Sequence, residues 1–165
     1  MSAAATLVAE LTARGLTLAC AESLTGGMLT ARIVDVPGAS IVLRGGIVAY
    51  ATPLKHSLLG VDADLLARRG AVDAEVARQM ADGVRRAAAI DGRAADLGIA
   101  TTGAAGPDAQ DGQEPGTVYV GIASVAGIRS LAFHFAGGRA EVREQAVAAA
   151  LDAAVAELAV LDRSI

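Results

Sequence analysis

The residues of this chain best suited to chemistry are a serine, a tyrosine and a lysine: Ser23, Tyr50 and Lys55. Ser23 lies in Ala21-Glu22-Ser23-Leu24-Thr25-Gly26-Gly27, between an apolar run at 16–20 that reads as a short strand and a helical stretch at 28–33. A hydroxyl at such a corner sits where free backbone N–H groups and the positive end of a helix converge. Two glycines in a first helical turn cost roughly 1 kcal/mol each against alanine. Close approach of a ligand to bare backbone is the usual compensation. The plainer reading makes Ser23 an N-cap. As a nucleophile, Ser23 needs a base. The histidines, His56 and His134, are far apart and lack metal-binding spacing, so no metal site is expected. Lys55 and Tyr50 remain as bases, since Ser–Lys pairs are a recurrent variant of the serine triad. Burial would leave more of Lys55 as neutral amine; alternatively, a charged Lys55 would help Tyr50 ionise. On the plainer readings Lys55 is an exposed helix lysine and Tyr50 a half-buried strand residue.

These three residues need a scaffold that brings residues 23, 50 and 55 together. Ser2 caps a first helix with apolar positions Leu7, Val8 and Leu11, ending near Gly15. Residues 45–50 read as a second strand. Thr52 then caps a short helix carrying Lys55, with Pro53 at its first position. Asp73 caps a longer helix with a Val76, Met80, Val84, Ala87 stripe, closed by Asp91-Gly92. A third strand at 95–102 leads into a glycine-rich loop to Gly116. Residues 117–124 and 130–135 read as a hairpin around Gly127, longer than the tightest turns. A last helix runs from about Arg139 to Leu161. Helices alternating with about five strands, one pair antiparallel, predict an α/β fold: a three-layer α/β/α sandwich with a mixed sheet, as a single domain over 1–165.

Three glycine-marked corners fall at strand ends: Thr25-Gly26-Gly27, Thr102-Gly103-Ala104-Ala105-Gly106-Pro107 and Gly137-Gly138-Arg139. None is a P-loop or a complete GxGxxG. Together they fit a small anionic ligand held by backbone N–H groups outside the carboxyl ends of the strands. Hydrophobic residues make up 53% of the 165 but aromatics only 2%, so the core is built from Ala, Val, Leu and Ile. A net charge of −4 and the absence of Trp speak against nucleic acid as a partner. No apolar run reaches the roughly 18 residues that span a bilayer, and no secretion signal is evident, so a cytoplasmic location is expected. The single cysteine, Cys20, excludes an intrachain disulfide and reads as a small core residue.

The chain resembles the CinA C-terminal domain family, whose stand-alone members include the PncC-type nicotinamide mononucleotide deamidases. The resemblance rests on Glu22-Ser23-Leu24-Thr25-Gly26-Gly27, Val36-Pro37-Gly38-Ala39-Ser40, Gly45-Gly46-Ile47-Val48-Ala49-Tyr50 with Lys55 and Leu59-Gly60-Val61, Gly70-Ala71-Val72, the 102–107 corner and Gly138-Arg139. It implies hydrolysis of the carboxamide of nicotinamide mononucleotide, with no cofactor, by Ser23 assisted by Tyr50 and Lys55. It further implies substrate contacts from Thr25, Gly26, Gly27, Thr102, Gly103, Gly106, Gly138 and Arg139, a pyridine nucleotide as small-molecule partner, and a homodimer. The chain departs from the family pattern at Thr52, Asp73, Ala104, Gly138 and Gln113-Glu114-Pro115-Gly116, where asparagine, serine, isoleucine, aspartate and a lysine-bearing run are frequent. A catalytically silent nucleotide-binding module of the competence or damage-inducible type is the alternative. Hydrolysis of a different amide is a third reading.

Overall fold

The computed structural model describes residues 1–162. Helix α1 (Ala3–Arg14) opens on Ser2, whose hydroxyl accepts from the Ala5 amide, and closes on Gly15 in a left-handed conformation. Strand β1 (Leu18–Glu22) then runs into the Ser23 corner. Helix α2 (Met28–Val34), a 3₁₀ turn (Ala39–Ile41), β2 (Leu43–Val48), α3 (Thr52–Leu59), α4 (Ala63–Arg69) and α5 (Ala74–Ala87) follow. Strands β3 (Leu97–Gly103), β4 (Thr117–Ser124) and β5 (Gly127–His134) complete the sheet before α6 (Arg139–Leu161).

The sheet order is β2-β1-β3-β4-β5. β1 lies parallel to both β2 and β3, and β4 and β5 are antiparallel additions. Every residue of β1 and β3 is buried, as expected of parallel strands covered on both faces. One apolar core holds Leu7, Leu11, Leu18, Ile99, Val142 and Leu158, joining α1, α2 and α6 to one face. The other holds Ala19, Leu59, Leu66, Val76, Met80 and Ala100, joining α3, α4 and α5 to the opposite face. The fold is therefore the three-layer α/β/α sandwich with a mixed five-stranded sheet. The chain leaves β1 for β2 by way of α2 on one face and reaches β3 by way of α3–α5 on the other. The carboxyl ends of β1 and β3 thus flank a topological switch point, where α/β sheets bind ligands.

Four sequence expectations shift. The first strand runs two residues later than 16–20, because Ala21 and Glu22 are also buried in it; a carboxylate inside a buried strand gives no apolar signal. Ala51, in extended backbone, is the N-cap of α3, and Thr52 and Pro53 lie inside the first turn. Helix α4 is additional, capped by Asp62 accepting from the Leu65 amide at 2.7 Å. The hairpin is the tight kind after all: Ser124 pairs with Gly127 across Val125 and Ala126, and the Ser124 hydroxyl accepts from the Ala126 amide at 3.0 Å.

Helix α5 lies against β3 and β4 with nothing between the backbones. A Cβ on Gly98 would stand 2.0 Å from the Ala81 carbonyl oxygen, and one on Gly121 2.0 Å from that of Ala77. Gly98→Ala is therefore expected to lower stability by about 2 kcal/mol or more, as overpacking does. Urea unfolding with an unchanged m-value checks this; a loss below 0.5 kcal/mol would show that α5 can move away freely.

Candidate active site

Ser23 extends β1 by one step, its amide donating to the Thr101 carbonyl at 3.0 Å. The turn after it depends on glycine, because Gly26 and Gly27 take φ of 57° and 102°, which a side chain would resist. Gly27, not Ser23, is the N-cap of α2. The anion position at that helix start is filled from within the fold. Glu22, with no exposed surface, accepts from the amides of Gly27 (2.9 Å), Leu29 (3.1 Å) and Thr30 (2.8 Å) and from the Thr30 hydroxyl (2.7 Å). The corner is thus organised around an internal carboxylate, which takes up amides that the sequence alone leaves open to a ligand. The Gly26 amide is also taken, donating to the Ser23 carbonyl at 3.0 Å.

On the opposite face of the sheet, α3 brings up Lys55, which is fully buried. Its Nζ lies 3.1 Å from Ser23 Oγ, 2.8 Å from the Ala49 carbonyl oxygen and 3.4 Å from that of Tyr50. Protonated, the amine donates to all three oxygens; neutral, it keeps two N–H bonds and gains one lone pair. Burial lowers the Lys55 pKa to about 8, partly opposed by the charge of Asp111. Asp111 itself accepts from the amides of Ala71 (2.7 Å) and Val72 (3.4 Å), tying the glycine-rich loop to the segment before α5.

The Tyr50 phenol is placed differently. Its hydroxyl accepts from Arg139 Nη2 at 3.0 Å, while Arg139 Nη1 donates to the Gly106 carbonyl at 2.7 Å. Of the two alternative bases, Lys55 is the one whose side chain the structure bonds to Ser23. Arg139 stands in the first turn of α6, capped by Gly138, with the Glu141 side chain folded back beside Gly137 and Gly138. Thr102, expected to touch substrate, is fully buried and donates its proton to the Ala71 carbonyl at 2.6 Å. Thr25 is also fully buried, its hydroxyl 2.7 Å from that of Thr101. Their side chains therefore brace the floor of the site. Gly103 ends β3 within the sheet.

Sequence reasoning missed a second arginine. Arg143, one turn beyond Arg139, donates through Nε to the Leu24 carbonyl (2.8 Å) and through Nη2 to that of Thr25 (3.2 Å). In a planar trans peptide the carbonyl and the next N–H point in opposite directions. Holding the Leu24 carbonyl towards α6 turns the Thr25 amide away from that helix. The spacing of four from Arg139 was the available signal. Cys20, by contrast, has its thiol pKa pushed far up, by burial first and the Glu22 charge second, which leaves it an inert core residue. The groove of about 490 Å³ between β5 and α6, lined by Leu131, Phe133, Phe135 and Ala149, does not border Ser23. Among the described residues no cluster of His, Cys, Asp and Glu is placed to hold a metal, and no helix is long and apolar enough to cross a membrane.

Two outcomes follow from these buried charges. Because the folded-state pKa of Lys55 lies below the ordinary 10.5, the unfolded chain holds the extra proton between pH 8 and 10.5. The charged-lysine penalty is complete below pH 8 and fades as pH rises. The stability of Lys55→Met relative to wild type should therefore fall by up to about 3 kcal/mol between pH 7.5 and 10; parallel stability curves would disprove the burial of this amine. Glu22→Gln, which puts an amide against backbone donors, should cost about 2–4 kcal/mol in urea unfolding. A cost near zero would mean that the corner holds itself.

Residues 1–158 match the model of the CinA C-terminal domain. A CinA-like protein of Frankia casuarinae is 48% identical over 139 residues, 84% of this chain and 31% of that protein. A putative competence-damage inducible protein of Desulforamulus reducens is 45% identical over 83% of this chain and 32% of its own length. The chain thus spans about a third of these curated relatives. Crystal structures of CinA superfamily proteins share the fold over nearly their whole length. That from Klebsiella pneumoniae has a TM-score of 0.88 and 32% identity, covering 95% of this chain and 96% of its own. That from Escherichia coli has 0.86 and 33%, covering 94% and 88%. On the extent of the family match and the identity to these relatives, the chain belongs to the CinA C-terminal domain family.

Proposed function

We propose that this domain is an amidohydrolase converting nicotinamide mononucleotide to nicotinate mononucleotide and ammonia through Ser23 and Lys55. The observation that carries the reading is the buried Lys55 amine 3.1 Å from Ser23 Oγ, in surroundings that bring its pKa to about 8. A lysine gains nothing in stability from such a position, whereas a serine nucleophile requires a base there. The substrate class comes from the resemblance of the motifs.

In this mechanism neutral Lys55 takes the Ser23 proton as Oγ attacks the carboxamide carbon. The developing oxyanion meets the Thr25 amide, held in orientation by Arg143 from the far face of the sheet. Lys55 then delivers the proton to the departing nitrogen, and ammonia leaves an ester on Ser23. Water, deprotonated by the same amine, cleaves that ester to the carboxylate and restores Ser23. Arg139, at the N-terminal end of α6, grips the substrate phosphate in exchange for one of its present partners.

Purified protein with nicotinamide mononucleotide and no added metal should release ammonia and nicotinate mononucleotide in equal amounts. Ser23→Ala and Lys55→Ala should each reduce kcat at least about a thousandfold. Because the active form carries a neutral amine, kcat/KM should rise about tenfold per pH unit below pH 8 and level off above it. Thermal stabilisation by the nucleotide without turnover would instead identify a binding module of the kind suggested by the competence and damage-inducible names of relatives. Turnover unaffected by Lys55→Ala would remove the assigned base.

A further inference from the structure

Tyr50 is the exposed aromatic of the site, 58% accessible in a chain with two Tyr, two Phe and no Trp. Its two ends are fixed to different parts of the machinery. Its carbonyl is 3.4 Å from Lys55 Nζ, which also touches Ser23 Oγ, and its hydroxyl is 3.0 Å from Arg139 Nη2. The side chain therefore runs from the reacting pair to the guanidinium, and its ring forms a wall between them. A nucleotide with its carboxamide at Ser23 and its phosphate at Arg139 has its heterocycle beside that wall. In the oxidised nucleotide this heterocycle is a pyridinium, a flat cation.

We infer that Tyr50 is a specificity-determining residue whose ring face binds the pyridinium cation of the substrate, rather than a base acting through its hydroxyl; this rests on the proposed pyridine-nucleotide reading. A flat cation over an aromatic face is attracted by the ring quadrupole, and more strongly once water is displaced. Fixing the phenol at Arg139 sets the ring in place before substrate arrives, which reduces the ordering required on binding. The same contact makes Tyr50 selective. A neutral dihydropyridine of the same size keeps the stacking area and loses the charge.

The test separates ring from hydroxyl. In turnover of nicotinamide mononucleotide, Tyr50→Phe should lower kcat/KM about threefold and Tyr50→Leu about thirtyfold, both through KM. In Ser23→Ala protein, which binds without turnover, calorimetry should give a Kd for the oxidised nucleotide about tenfold below that of its 1,4-dihydro form. Adding Tyr50→Leu should bring that ratio close to one, and adding Tyr50→Phe should leave it intact. A collapse of kcat in Tyr50→Phe equal to that in Tyr50→Leu would overturn the inference and make the hydroxyl a proton carrier. An oxidised-to-reduced ratio that survives Tyr50→Leu would also overturn it, while leaving the amidohydrolase reading standing. Failure of that reading has a different signature: no turnover by wild type and no binding of either form to Ser23→Ala, which removes both.

Discussion

A single buried carboxylate, Glu22, holds this site together. An ion without exposed surface is tolerated only if its lone pairs are filled, and Glu22 fills them with three backbone amides and the Thr30 hydroxyl. Those bonds decide where α2 begins and force the chain between Ser23 and Met28 into a turn that only glycines at 26 and 27 can follow. The neighbouring strand conforms as well. A Cβ on Gly46 would stand 2.1 Å from Thr30 Oγ1, so β2 can pass against α2 at that point only without a side chain. The position of Ser23 is therefore a consequence of how Glu22 is solvated by protein.

The two faces of the sheet divide the chemistry. On one, α6 supplies Arg139 and Arg143, which grip the carbonyls of the 24–25 turn and of Gly106. On the other, α3 supplies a buried amine whose pKa is lowered by burial. Perturbed ionisable groups of this kind cluster at functional sites. Ser23 sits at the edge between the faces, at the switch point where β1 and β3 end side by side.

Much of the architecture was readable because its signals are local. Alternation of apolar runs with capped helices fixes the layers, and Ser2 and Asp73 cap as their types suggest. What escaped was set by tertiary contact. Glu22 looks like a strand terminator until the amides that surround it are known. The roles of Arg143 and Asp111 lie in bonds to segments 118 and 40 residues away, which no local pattern encodes. Ser23 and Lys55 could be singled out from type and spacing, but which of Lys55 and Tyr50 reaches the Ser23 hydroxyl needed geometry, since both follow β2 within a few residues. Thr102 illustrates the opposite case: the family resemblance implied substrate contact there, and its hydroxyl donates to the Ala71 carbonyl, a bond no local pattern encodes.

The proposed nucleophile and base hang from strands of unequal standing. β1 is hydrogen-bonded on both sides, whereas β2 is the rim of the sheet, partly exposed along its length. Ala49 and Tyr50, whose carbonyls hold Lys55, come directly off that rim. Rims fray at lower free energy than centres. Fraying of β2 and α3 parts the amine from the hydroxyl while the middle of the sheet stays paired, so mild heat or denaturant takes apart the Ser23–Lys55 pair before it takes apart the fold.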